Sequence, residues 1–87
     1  MGYIGWIGKA RPVESQITSE LRSLGAVLYC KTSVPQTLLL GETKNNIIGQ
    51  TLNPHNRNLS CGGSSGGEGA LVALKGSPLG VGTDIGG

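Results

Sequence analysis

The stretch Cys61-Gly62-Gly63-Ser64-Ser65-Gly66-Gly67 sets two adjacent hydroxyls between pairs of glycines, and Thr83-Asp84-Ile85-Gly86-Gly87 makes a second glycine-closed turn. Small residues on both sides let the main chain come close to a reacting carbonyl. A serine hydroxyl facing a row of backbone N–H groups is the equipment of acyl transfer. The plainer alternative is a flexible turn, since serine and glycine together are also ordinary turn and linker chemistry. A third use, cradling a phosphate at a helix N-terminus, lacks its specific forms. A Walker loop needs Gly-Lys followed by Ser or Thr, whereas Lys75 follows Leu74. A dinucleotide fingerprint begun at Gly80 and Gly82 meets Ile85 where its third glycine belongs.

These loops need elements to hold them. Glu68, Ala70, Leu71, Val72, Ala73 and Leu74 predict a helix over Gly66 to Lys75, starting just after the serines and left through Gly76-Ser77-Pro78. Glu68 falls in its first turn, where a carboxylate complements the positive end of the helix dipole, a structural role. Upstream, Val13, Ile17, Leu21 and Leu24 line one face of a helix over residues 13 to 24, with Pro12 in its first turn and Gly25 as its C-terminal cap. Residues 26 to 30, AVLYC, read as a short buried strand, and Leu79 to Thr83 as a second one. Between Lys31 and Gly63 periodicity fades and turn residues accumulate, which predicts a long ordered loop region. The expected class is α/β: part of a mixed, twisted sheet flanked by helices, with long Gly-rich loops.

Composition limits the function classes. The chain has 87 residues, 16 of them Gly, seven Lys and Arg against five Asp and Glu, a net charge of +2 and no Phe. The basic residues are dispersed, no two of them adjacent, which argues against nucleic acid. No apolar run approaches the roughly 20 residues that cross a bilayer, and the N-terminus shows no targeting pattern, so the expected location is cytoplasmic. Cys30 and Cys61 are 31 positions apart with only His55 as a nitrogen ligand. They read as two free thiols rather than a disulfide or a metal site, and no cofactor is expected. His55 follows Pro54 in a turn with no acid partner in view, and reads as a loop residue. Asn58-Leu59-Ser60 matches a glycosylation sequon, to which no function is assigned.

The segment GGSSGGEGALVALKGSPLGVGTDIGG resembles the amidase signature family. The preceding AVLYCKTSVPQTLLLGETKNNIIGQTLNPHNRNLS is similar to that family's acetamidase and fatty-acid amide hydrolase branch. The likeness covers nearly all of residues 1 to 87, read as one partial amidase signature domain, and is weakest over residues 1 to 12. It implies a serine hydrolase with a Ser-cisSer-Lys triad that cleaves carboxylic amides to acid and amine through an acyl-enzyme. Ser64 matches the bridging serine, joined to Gly63 by the family's cis peptide. The family's nucleophile is the serine directly after GTDIGG, at position 88, and its lysine belongs to an upstream segment. Both therefore fall outside residues 1 to 87, which read as an internal fragment, inactive by itself. The backbone N–H groups of Ile85, Gly86 and Gly87 match the oxyanion hole, and Leu38 a position beside the acyl pocket. Ser65, Thr83 and Asp84 match supporting positions near the triad. Cys61 departs from the pattern, standing where the branch commonly has Pro.

The implied partner is a small-molecule amide. The alternative function, from another class, is a short non-catalytic product that docks on a partner or self-associates through unpaired sheet edges.

Overall fold

The computed structural model describes residues 1–86. The first helix, α1 (Gln16–Ser23), is started by Ser15, whose carbonyl accepts from the Ser19 N–H at 3.1 Å and whose hydroxyl accepts from the Thr18 N–H at 3.4 Å. The apolar spacing predicts a start at residue 13, behind Pro12. The helix begins later because Ser15 supplies a side-chain acceptor for the first turn's spare donors, which proline cannot. The other end agrees with expectation. Gly25 adopts φ +92°, its N–H bonds the Arg22 carbonyl at 3.0 Å, and the Ala26 N–H bonds that of Leu21 at 2.9 Å, a two-bond glycine cap. The Glu14–Arg22 ion pair at 2.6 Å is exposed on both sides and contributes under about 1 kcal/mol.

Helix α2 (Gly66–Ala73) starts directly after the two serines, as predicted, and is capped at Leu74. The Lys75 and Gly76 N–H groups close it on the carbonyls of Val72 and Leu71, both at 2.9 Å, and the Tyr29 hydroxyl donates to the Gly76 carbonyl at 2.8 Å.

The two predicted strands are corrected. Residues 26–30 and 79–83 carry no strand ladder. A strand is defined by a hydrogen-bonded neighbour, and here Val27, Leu28 and Tyr29 are exposed, while the N–H groups of Val81 and Thr83 bond to side chains. The only sheet among the described residues lies inside the predicted loop region: β1 (Lys44–Asn45) pairs antiparallel with β2 (Gly49–Gln50), Lys44 opposite Gln50 and Asn45 opposite Gly49. Asn45 builds the connecting turn, its Oδ1 accepting from the N–H groups of Ile47 and Ile48, each at 2.9 Å. The pairing continues through the Thr51 N–H to the Thr43 carbonyl at 2.9 Å, and Leu52 bridges Ser60.

No apolar side chain among the described residues is buried outside Pro35; the buried positions are Pro35, Thr43, Asn45, Gly66 and Gly67. The chain exposes 6717 Å², against about 4,800 Å² for a compact monomer of its 8.9 kDa mass. Val13, Ile17 and Leu24 of the α1 face stand in solvent, as do Val27 and Leu28. Order in this chain therefore comes from a polar, glycine-lined centre, and that centre is where the candidate chemistry sits.

Candidate active site

Thr43 occupies the middle of the serine loop. Fully buried, it donates its hydroxyl to the Gly62 carbonyl at 2.8 Å and accepts from the Gly66 N–H at 3.0 Å, so one side chain spans the loop on both flanks of the Gly63–Ser64 peptide. That peptide is cis, as the family likeness implies. The next spare donor of α2, the Gly67 N–H, bonds the Ser33 carbonyl at 3.0 Å. The neighbouring Asn45, 5% exposed, donates to the Val34 carbonyl at 2.8 Å and to Ser33 Oγ at 3.2 Å, fixing the segment against which α2 starts. Both glycines are required by close approach. A Cβ on Gly66 would lie 2.1 Å from Thr43 Oγ1, and one on Gly67 would lie 2.3 Å from the Ser33 backbone nitrogen. Thr43→Val leaves the buried Gly66 N–H without a partner and the half-buried Gly62 carbonyl with the Cys61 thiol alone. It is expected to lower the unfolding free energy of the full-length protein, measured by urea titration, by about 1–3 kcal/mol, with Thr43→Ser recovering most of that.

The upstream flank is tied as well. Ser60 Oγ bonds Glu42 and accepts from the Gly62 N–H at 2.8 Å, and Cys61 Sγ faces the carbonyls of Thr51 and Gly62 at 3.1 and 3.3 Å. Both cysteines are free thiols. His55 is an exposed loop residue whose N–H bonds Asn53 Oδ1. No group of three metal-ligating side chains occurs among the described residues.

Ser64 is half-buried, and its hydroxyl has no hydrogen-bond partner among the described residues. Ser65 behaves differently. It precedes α2 in the capping position, yet its hydroxyl reaches across to Thr83, accepting from the Thr83 N–H at 3.0 Å and lying 3.3 Å from the Thr83 carbonyl. Capping of α2 is left to Thr43 and Ser33, and Ser65 instead joins the serine loop to the terminal turn. A cleft of about 340 Å³ opens between the two, lined by Cys61, Gly63, Ser65, Gly66, Gly82, Thr83 and Asp84. In the turn itself the Gly86 N–H donates to Asp84 Oδ1 at 2.9 Å, and Ile85 projects its side chain almost wholly into solvent. Gly87 lies outside the described residues.

Leu38 lies on a second cavity of about 460 Å³, lined mainly by apolar groups including Leu28, Val34, Ile47, Ile48 and Val81. Ser65 and Thr83 line both cavities, so the cavity at Leu38 adjoins the cleft of the serine loop. Its backbone is unusual: Thr37 and Leu38 hold φ of +65° and +64°, in the left-handed region that β-branched and bulky residues avoid. A pair of such residues side by side persists only where the surroundings fix them, and here the Met1 carbonyl accepts from the Thr37 N–H at 3.1 Å.

The structure thus brings Gly63, Ser65, Thr83 and Asp84 to one cleft and Leu38 to the adjoining cavity. Thr43, Asn45, Thr32 and the second role of Glu68 are additions to the residues singled out from sequence. Thr43 lies in a stretch without periodicity, and no local pattern marks it. Glu68 was visible as a first-turn carboxylate, but its side chain does more than meet the dipole: Oε1 accepts from the Val81 N–H at 2.9 Å and Oε2 from the Thr32 hydroxyl at 2.6 Å.

The family model described as Amidase matches residues 1–87. An acetamidase of Emericella nidulans is 63% identical over 87 residues, taking in all of this chain and 16% of that protein. An acetamidase of Aspergillus oryzae is 62% identical over the same length, again 16% of the relative. A solved structure of a fatty acid amide hydrolase superposes with a TM-score of 0.92 at 51% identity, covering 99% of this chain and 15% of that one. The chain thus spans about one sixth of the length of the curated relatives it matches. The fold described above is the corresponding part of that hydrolase's fold. No helix among the described residues is long and apolar enough to cross a membrane.

Proposed function

The chain belongs to the amidase family, and from that premise we propose that it forms part of the active site of an enzyme that hydrolyses carboxylic amides to acid and amine. The single observation that carries the reading is the pair of Ser65–Thr83 contacts, which sets the hydroxyl-bearing loop and the glycine turn on two walls of one cleft. In the proposed mechanism a neutral lysine takes a proton through the Ser64 hydroxyl from a nucleophilic serine. That serine attacks the amide carbon, and the carbonyl oxygen takes up the negative charge. The unpartnered Ser64 hydroxyl suits a group that must both accept and donate a proton. As the C–N bond breaks, Ser64 passes a proton to the departing nitrogen, which is otherwise a very poor leaving group. Water then cleaves the acyl-enzyme and restores the serine.

Backbone N–H groups of Ile85, Gly86 and Gly87 are the proposed oxyanion donors. The Ile85 N–H carries no bond among the described residues, whereas that of Gly86 is held by Asp84 and must be shared with, or released to, the oxyanion. Leu38 and the 460 Å³ cavity are proposed to take the acyl chain. Nucleophile and base fall outside residues 1–87 in the family's pattern, so these residues alone are expected to turn over no amide, since triad members act as a unit.

The test is hydrolysis of acetamide and of a long-chain primary amide by the full-length protein, together with labelling by a fluorophosphonate. Turnover and labelling of one serine are expected. Turnover or labelling by residues 1–87 alone would refute the assignment of the missing groups, and an inert full-length protein would refute the amidase reading.

A further inference from the structure

Glu68 sits between three parts of the site. It projects from the first turn of α2, accepts from the Val81 N–H with one oxygen and from the Thr32 hydroxyl with the other, and is half-buried against the cavity that Ser65, Thr83 and Leu38 also line. The segment that follows Val81 passes Gly82, is held at Thr83 by Ser65, and enters the Asp84–Gly86 turn. Residues 79–83 have no strand neighbour, so these two side chains supply the acceptors that a sheet would otherwise provide. Gly80 shows how closely the carboxylate is fitted: a Cβ there would lie 2.6 Å from Glu68 Cγ and 2.8 Å from Oε1.

We propose that Glu68, buttressed by Thr32, is a positioning residue that fixes the height of the terminal turn over the serine loop. The inference rests on the reading of that turn as the oxyanion site. A helix-dipole role needs only a carboxylate near the N-terminus of α2. The two fixed hydrogen bonds have a different purpose, because they set where Val81 lies and hence where the donors four to six residues later point. Displacing a reacting group by about 1 Å costs on the order of 10²-fold in rate, so a clamp of this kind acts on catalysis through the donors that it positions.

The chemistry of the clamp separates the variants. In Glu68→Gln the Oε1 acceptor for Val81 remains, and the Thr32 hydroxyl can reverse to accept from the new amide nitrogen. Glu68→Ala removes both bonds. Thr32→Val removes only the buttress.

The experiment is amide hydrogen exchange on the full-length protein and these variants, with kcat and KM measured in parallel. In Glu68→Ala, exchange at Val81, Thr83 and Gly86 is expected to accelerate about tenfold or more, while Gly69 and Leu74 of α2 keep their protection. Glu68→Gln is expected to remain close to wild type, and Thr32→Val to accelerate the same amides about threefold. The kcat of Glu68→Ala is expected to fall about 10²-fold with KM within about threefold, and Glu68→Gln to recover most of that loss. Unchanged exchange at Thr83 and Gly86 in Glu68→Ala overturns the proposal. So does a loss of protection spread equally over α2, which marks a helix-stabilising role. If Glu68→Ala unfolds, an unaltered pattern in Thr32→Val overturns it. A wild-type protein that neither turns over amides nor labels would refute the amidase reading, while the exchange data still decide the clamp.

Discussion

Gly67→Ala is expected to destabilise the full-length protein by about 3 kcal/mol or more, whereas Gly69→Ala on the same helix is expected to stabilise it by about 0.5–1 kcal/mol. A methyl at Gly67 meets the Ser33 nitrogen at 2.3 Å and its carbonyl oxygen at 2.5 Å. These are backbone atoms, held in turn through the adjoining Val34 carbonyl by Asn45, so the clash cannot be relieved by a side-chain rotation. Pushing α2 away also breaks the Gly67 N–H bond to Ser33 and leaves that donor buried. Gly69 has nothing within 4 Å of its added Cβ and a helical backbone, so the methyl adds helix propensity and meets no neighbour. Paired urea midpoints and the rate of proteolysis in the 61–67 loop check both halves. Equal effects at the two positions would mean that α2 does not start against residue 33.

The helices were legible because their signals are local. Glycine and serine followed by a run of helix formers marks the start of α2, and Gly25 caps α1 through a conformation that depends on that residue alone. The strands were not, because an apolar run such as AVLYC becomes a strand only beside a partner, and its neighbours in space are not encoded within residues 26–30. The site divides in the same way. Ser64, Ser65, Thr83 and Asp84 stand out as motif positions, and the structure places the last three on one cleft. Thr43 organises the loop from a distant, aperiodic stretch, and its importance lies in burial and in two contacts that no spacing rule reports. Leu38 was singled out by family likeness, but its left-handed backbone, and that of Thr37, has no signature in the sequence because neither residue type favours it.

Ser64→Ala carries the largest expected kinetic effect. The alanine removes a hydroxyl that makes no hydrogen bond among the described residues, from a half-buried position, so stability should change by no more than about 0.5 kcal/mol. If that hydroxyl is the relay between lysine, nucleophile and leaving nitrogen, kcat for an amide should fall about 10³-fold with KM little altered, as expected for a group used only during proton transfer. Stability and rate are thereby separated, in contrast to Gly67→Ala, where a fall in rate would follow from the disturbed fold. A Ser64→Ala enzyme with wild-type kcat would assign the proton transfers to another group.

The most direct test of Ser64 as relay is the ratio of amide to ester hydrolysis for a matched pair of substrates with the same acyl group, measured on full-length wild type and Ser64→Ala. An alkoxide departs with far less help than an amide nitrogen, so the account predicts that the variant loses at least about tenfold more activity on the amide than on the ester. Equal losses on the two substrates, or no loss on the amide, would contradict it.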